Sequence, residues 1–422
     1  MDRIIVSPGA PLQGAIHAGG AKNSVLKLMA ASLLVEGTTV LENVPAITDV
    51  DTMAEVLRAL GCTVERSGGH RLVIETPPTS ELVPEAPYEL VEKMRASIVV
   101  LGPLLARCGR ARVSMPGGDD FGSRPIDIHL AGMTEMGATF ATHHGYVEGE
   151  VTDATGRLNG AHLVLEYPSH TATDNLMMAA ALAKGTTIID NAAREPEISD
   201  LADFLNSMGA RVSGAGTSRL VIEGADILQP VTHRVIPDRV VTATYLLAPA
   251  LAGGSVTVID GRPDHMAMLL AKLEAMGMTV RFDAEGLTVT SPARTSAIDI
   301  ATLPYPGVAT DYKPFLVTAL SIADGVSIVS ENLFEGRFRY VDELRRMGAD
   351  IRTEGHHAVV RGVPRLSGAP VKAPDIRAGA ALVLAGLAAD GETTISGVEH
   401  IERGYDDLVG TFERLGASVR WG

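Results

Sequence analysis

The chain has 422 residues, 46% of them hydrophobic and 21% charged; that length and mix imply two or three folded cores and exclude wholesale disorder. Lys plus Arg total 36 against 51 Asp plus Glu, a net charge of −15. With no basic tract, this excludes general nucleic-acid binding by phosphate neutralisation but leaves room for a local anion pocket.

The first ten residues lack the basic and apolar regions of a signal peptide. Residues 3–8 read as a short strand, expected to supply the strand missing from the start of the chain's second half. An apolar helix follows at 24–34, then a β-branched strand opened by Gly37. An amphipathic helix next ends at Leu60-Gly61, and short strands follow, the second of them alternating over 71–75. The same series then recurs along the chain. Apolar helices lie at 96–106, 176–183, 240–252, 315–323 and 378–388. Strands opened by Gly109, Gly185, Gly254, Gly325 and Gly391 come after them. Each repeat also contains a helix end running into Gly: Gly61, Gly137, Gly209, Gly277, Gly348 and Gly416, spaced by 68 to 76 residues. Six copies at a near-constant period account for the whole chain. A Gly there closes a helix by taking the left-handed conformation.

The recurring helices are apolar nearly all round, so each is expected to be buried on every side. That favours two globular domains of three repeats over a solenoid. The polar stretch 229–234 is the natural boundary. None of the apolar stretches is long and uninterrupted enough to span a bilayer. Cys62 and Cys108 are too few for a disulfide framework and have no zinc-type spacing, which fits a reducing, cytoplasmic setting.

Polar residues gather at the helix starts: Lys22 and Asn23, Lys93 and Arg95, Asp174 and Asn175, Asp238 and Arg239, Asp311 and Lys313, Asp375 and Arg377. Asp and Asn are ordinary N-caps. Lys and Arg are disfavoured by the helix dipole at that end, so their recurrence points to an anion-attracting cleft. A phosphorylated or doubly anionic small substrate follows. The Gly-rich segment 116–124 matches neither a Walker loop nor a dinucleotide fingerprint. It reads either as a plain connection or as a lid carrying Asp119, Asp120 and Arg124 over a ligand. His129, His170, His356 and His357 show no metal spacing.

Gly19-Gly20-Ala21-Lys22-Asn23, Met94-Arg95-Ala96-Ser97, Pro116-Gly117-Gly118, Gly122-Ser123-Arg124-Pro125, Asn191 through Glu197, Pro237-Asp238-Arg239, Thr310-Asp311 and Arg403-Gly404-Tyr405 together resemble the enolpyruvyl transferases. Within them the likeness is to the UDP-N-acetylglucosamine 1-carboxyvinyltransferases of peptidoglycan synthesis, and it runs end to end. The resemblance implies an α/β fold of two inside-out domains, each with three βαβαββ repeats around buried parallel helices. The domains would be 22–233, carrying a lid at about 112–124, and 1–21 plus 234–422, with the active site in the cleft between them.

The implied reaction joins phosphoenolpyruvate to the 3-hydroxyl of UDP-N-acetylglucosamine and releases phosphate, with neither metal nor organic cofactor. By resemblance Lys22, Asn23, Arg124 and Arg403 hold phosphoenolpyruvate. Arg95, Arg124, Pro125, Ile126, Asp127, Ile128, Tyr167, Pro168, Ser169, His170, Asp311 and Leu333 line the UDP-sugar site. Asp311 acts as base, Asp119 as acid, and Lys22 and Arg403 join them in catalysis. Glu195, Asp238, Arg337 and Asp375 are further cleft candidates.

Two features depart from the family pattern. Most members carry Cys where this chain has Asp119, and some carry Asp. A carboxylic acid can protonate C3 if its pKa is raised, but it is a poor target for the thiolate-alkylating epoxide fosfomycin. The nucleotide loop reads Pro168-Ser169-His170-Thr171, where many members end in Val-Gly. The alternatives are an enolpyruvyl transferase for another uridine nucleotide and a non-catalytic UDP-sugar sensor. Retention of Lys22, Arg124, Asp311 and Arg403 speaks against the sensor.

Overall fold

The computed structural model describes residues 2–115, 126–334 and 336–422. Among them the chain divides into two compact units. Residues 20–115 and 126–236 form the first; residues 2–19 and 237–422 form the second. Each unit has its own hydrophobic core.

The six apolar helices form as the sequence pattern predicts. They are α1 (Lys22–Ala31), α2 (Leu101–Cys108), α3 (His170–Ala180), α4 (Arg239–Ala252), α5 (Lys313–Leu320) and α6 (Ile376–Leu387). Every residue of α5 is buried, and in α6 only Leu387 is not. A helix with no polar stripe has no face to show to water, so it sits in the centre of its unit. The second repeat differs in detail. A 3-10 turn at Arg95–Val100 precedes α2, and Pro103 lies in the first turn of α2, where its missing N–H is tolerated. The helices of the first unit approach closely. A Cβ on Gly102 would lie 2.3 Å from the Asn175 carbonyl oxygen, and the Gly102 amide donates to Asn175 Oδ1 at 2.7 Å.

Six four-stranded sheets share one order: an edge strand parallel to the β-branched strand, then two antiparallel strands. The alternating segments Arg71–Thr76, Arg219–Glu223 and His357–Arg361 take the third place in their sheets. All six repeat glycines, from Gly61 to Gly416, have φ between +86° and +105°, the conformation that ends the amphipathic helix and re-aims the chain into a strand.

The N-terminal strand corrects one expectation. Ile4–Ser7 does not open the second half; it lies in the sixth sheet, antiparallel to Thr393–Ser396 and Ser418–Trp421. Its buried Ile4 and Val6 alternate with half-exposed Ile5 and Ser7, the signature of a strand with one covered face. Leu12–Ile16 opens the second half, parallel to Gly254–Val258. In the same way Thr232–Arg234 returns to pair with Gly37–Glu42, completing the first unit's opening sheet. No helix among the described residues is long and apolar enough to cross a membrane.

Candidate active site

In the second unit, the starts of α4, α5 and α6 carry interlocked charges. Asp238 caps α4, its Oδ1 accepting from the Val240 and Val241 amides at 2.7 and 2.9 Å. Asp375 caps α6 in the same manner, accepting from Arg377 and Ala378. Both aspartates therefore have a structural task. Asp311 stands just ahead of α5 with its side chain 26% exposed. Arg337 Nη2 donates to Asp311 Oδ1 at 2.6 Å, and Arg377 Nε lies 3.5 Å from Oδ2. Burial alone would raise the Asp311 pKa. The guanidiniums of Arg337, Arg377 and Arg239 outweigh it and hold the carboxyl well below the usual carboxylate range. Arg239 Nη1 donates to the Tyr312 hydroxyl at 3.3 Å, tying the start of α4 to that of α5.

Arg403 follows the short helix Val398–Glu402 and is half-buried. Its neighbour Gly404 packs against the start of α6, where a Cβ would lie 2.5 Å from Ile376 Cγ2. Leu333 is half-buried, and its amide donates to Glu331 Oε1 at 2.9 Å. Of the further cleft candidates in the second unit, Arg337 meets Asp311 directly, while Asp238 and Asp375 cap α4 and α6.

In the first unit, Lys22 and Asn23 begin α1. Lys22 Nζ lies 2.6 Å from Asp49 Oδ2, and both side chains are buried. Lys27, one turn further along α1, donates to the Asn23 carbonyl and lies 3.6 Å from Asp174 Oδ2. His170 Nε2 approaches the same oxygen at 3.5 Å. Burial pushes the Asp174 carboxyl up to about 7; Lys27 opposes this, and Glu195 and Glu197 reinforce it. Asp174 and Asn175, expected ahead of their helix, lie inside it. The reason is that Ser169 Oγ caps α3 by accepting from the Ala172 amide, so the helix begins at His170.

His129 is buried, with Nδ1 3.0 Å from Asn175 Nδ2. Burial first, and the charge of Arg95 second, push its pKa down to about 3, so the ring is neutral. Ile126 and Asp127 start the helix Asp127–Glu135, which includes Ile128. Tyr167 is exposed and Pro168 half-buried, just before the Ser169 cap. Glu195 precedes the helix Pro196–Ser207. Asp119, Arg124, Pro125 and most of the lid segment lie outside the described residues.

The structure adds Asp49, Lys27 and Glu331, which the sequence did not single out, and ties Arg239 and Arg377, already marked by their place at helix starts, to the surroundings of Asp311. Arg239 and Arg377 carried a usable signal, since cations beside helix N-termini oppose the dipole. Asp49 and Glu331 carried none, because each meets its lysine only through the fold.

Comparison with known proteins identifies the family. The family model described as EPSP synthase (3-phosphoshikimate 1-carboxyvinyltransferase) matches residues 6–412. The chain is 52% identical to a UDP-N-acetylglucosamine 1-carboxyvinyltransferase of Nocardia farcinica (strain IFM 10152), over 99% of this chain and 98% of that protein. It is 48% identical to the one of Myxococcus xanthus (strain DK1622), covering 100% and 99%. Among solved structures, the enolpyruvyl transferase NikO from Streptomyces tendae superposes with a TM-score of 0.87 at 26% identity, covering 100% of this chain and 98% of that one. An EPSP synthase from Acinetobacter baumannii, at a TM-score of 0.75 and 19% identity over the full length of both chains, shares the fold. Two α/β units built from six like sheets around buried helices, matched end to end by these relatives, mean that the chain belongs to the enolpyruvyl transferase family and, within it, to the UDP-N-acetylglucosamine 1-carboxyvinyltransferases.

Proposed function

We propose that the chain transfers the enolpyruvyl group of phosphoenolpyruvate to the 3-hydroxyl of UDP-N-acetylglucosamine, the step that commits this sugar nucleotide to peptidoglycan, and that it works in the cytoplasm. The observation that carries this reading is the end-to-end identity of 52% to a relative bearing that activity's name.

The residues are assigned by what the chemistry needs. The sugar hydroxyl adds to C2 of phosphoenolpyruvate as C3 gains a proton. A C3 proton and phosphate then leave, so no net acid or base is consumed. Phosphoenolpyruvate needs several cations in a pocket drier than bulk water; the reading gives that task to Lys22, Arg124 and Arg403, with Asn23 beside them. UDP-N-acetylglucosamine falls to Arg95, residues 124–128, Tyr167, Pro168, Ser169, His170 and Leu333.

Asp311 receives the hydrogen of the sugar hydroxyl. Its ion pairs with Arg337 and Arg377 keep it ionised at neutral pH and also make it a weak base. Asp119 protonates C3. Glu195 is assigned to the electrostatic surroundings of Asp174, not to a substrate.

Mass spectrometry of a mixture of the purified protein with both substrates tests the reading. A product heavier than UDP-N-acetylglucosamine by one enolpyruvyl group, with stoichiometric phosphate, is expected. Phosphate release only with another nucleotide from a uridine panel would favour the paralogue, and silence with all of them the sensor.

A further inference from the structure

Behind Asp311 lies an ion pair with no exposed atom. Lys313 Nζ and Glu331 Oε2 are 2.7 Å apart, and both side chains are 0% exposed. Burying two charges is costly, and a buried pair adds little stability over an apolar one of equal volume. Such a pair therefore calls for a reason other than stability, and its hydrogen bonds supply one. Glu331 Oε1 accepts from Thr302 Oγ1 at 2.7 Å and from the amides of Leu333 and Phe334 at 2.9 and 3.3 Å. Oε2 accepts from Thr310 Oγ1 at 2.8 Å. Lys313 Nζ also donates to the Arg337 carbonyl at 2.6 Å and sits 3.9 Å over the Phe338 ring. Arg337 then donates through Nη1 to Thr310 Oγ1 at 3.0 Å and through Nη2 to Asp311 at 2.6 Å.

The pair grips three stretches of chain. Thr302 is one; Thr310 through Lys313, at the start of α5, is the second; Leu333, Phe334 and Arg337 are the third. Three of the four groups that donate to the Glu331 carboxylate from outside Lys313 belong to Thr310, Leu333 and Phe334, residues at or next to Asp311 and Leu333.

We propose that the Lys313–Glu331 pair is the positioning device of the acceptor site: it fixes Leu333 and Arg337 relative to α5, and through Arg337 it fixes the Asp311 carboxylate. This rests on the reading above that Asp311 and Leu333 meet the UDP-sugar. Neither Lys313 nor Glu331 needs to touch substrate. Both remain charged in the resting protein. Burial pushes the Lys313 ammonium down to about 8, with Glu331 opposing, while the Lys313 charge outweighs burial and keeps Glu331 below its ordinary range.

Steady-state kinetics on the full chain, with each substrate varied at saturation of the other, tests the proposal on three variants: Lys313→Met, Lys313→Met/Glu331→Gln and Thr310→Val. Lys313→Met leaves Glu331 buried without its cation, so this variant loses thermal stability. The double variant removes that lone charge and recovers stability, but Met cannot reach the Arg337 carbonyl. Its KM for UDP-N-acetylglucosamine is expected to rise about 10- to 100-fold, the scale of an ångström-level misplacement, while the KM for phosphoenolpyruvate stays within about twofold. Mere destabilisation lowers kcat through fewer active molecules and moves neither KM. Recovery of stability together with a wild-type acceptor KM overturns the proposal. If the double variant does not fold, Thr310→Val carries the same test, because it deletes only the hydroxyl bridging Glu331 and Arg337; an unchanged acceptor KM there overturns it equally. Asp311→Asn separates the two readings: wild-type turnover in that variant defeats the role of Asp311, whereas its inactivity with unmoved pair variants defeats the positioning role alone.

Discussion

Asp174 gives the sharpest prediction, because its burial has a sign that can be measured. Its carboxyl is 0% exposed, and burial sets its pKa near 7 against an ordinary 3.8. Between those two values the folded chain binds a proton at this site that the unfolded chain releases. Stability from this group is thus complete below about pH 4, falls as pH rises towards 7, and stays low above that. A shift of roughly three units corresponds to about 4 kcal/mol as an upper bound, and relaxation around Lys27 and His170 reduces it to about 2–4 kcal/mol. Asp174→Asn keeps the shape and never ionises. At pH 5 the folded wild type is itself mostly neutral here, so the two proteins should unfold at temperatures closer together than at higher pH. At pH 8.5 the variant should be the more stable by roughly 4–16 °C for a unit of about 200 residues. Thermal unfolding of both proteins in matched buffers from pH 5 to 8.5 reads the difference directly, and other titrating groups cancel in the comparison. A gap that does not widen with pH, or a variant less stable at pH 8.5, would show that Lys27 holds Asp174 ionised and that the burial argument is wrong.

Asp311→Asn should lower kcat by about 10²–10⁴-fold, the usual contribution of a positioned base, as measured by phosphate release; a loss below tenfold would remove it from the chemistry. Gly102→Ala should destabilise the first unit by about 1–3 kcal/mol in chemical denaturation, because its methyl would meet the Asn175 backbone; a change within about 0.5 kcal/mol would mean that α2 and α3 can separate freely. Incubation with fosfomycin should leave activity intact, since Asp119 offers no thiolate; potent time-dependent inactivation would contradict this.

Much of the fold was legible because it depends on local patterns repeated six times. An all-apolar helix, a Gly with φ near +100° and a β-branched strand each leave a mark within a few residues. The N-terminal strand was not legible in this way. Ile4 and Val6 show that a strand exists, but nothing in the alternation tells which sheet it joins, and the sixth sheet takes it. The helix α3 starts at His170, six residues ahead of its apolar run, because the Ser169 cap draws the polar residues 170–175 into it, and an apolar pattern does not mark polar residues inside a helix. At the candidate site, Asp311, Lys22 and Arg403 came from family likeness, whereas Asp49 and Glu331 appear only once helix starts and loops are brought together.

Those partners change what the site is. In the second unit the buried cations Arg239, Lys313, Arg337 and Arg377 stand among Asp238, Asp311, Glu331 and Asp375. A row of helix N-termini rich in arginine suggests an open positive field, but most of that field is already answered by the chain's own carboxylates. An arriving phosphate or carboxylate must therefore compete for a guanidinium that another group holds. Asp311 is one of those carboxylates, and its arginines suppress its basicity. In this reading Asp311 is held ionised but poorly basic in the resting protein, and only a loosening of its pairs with Arg337 and Arg377 can make it a stronger base.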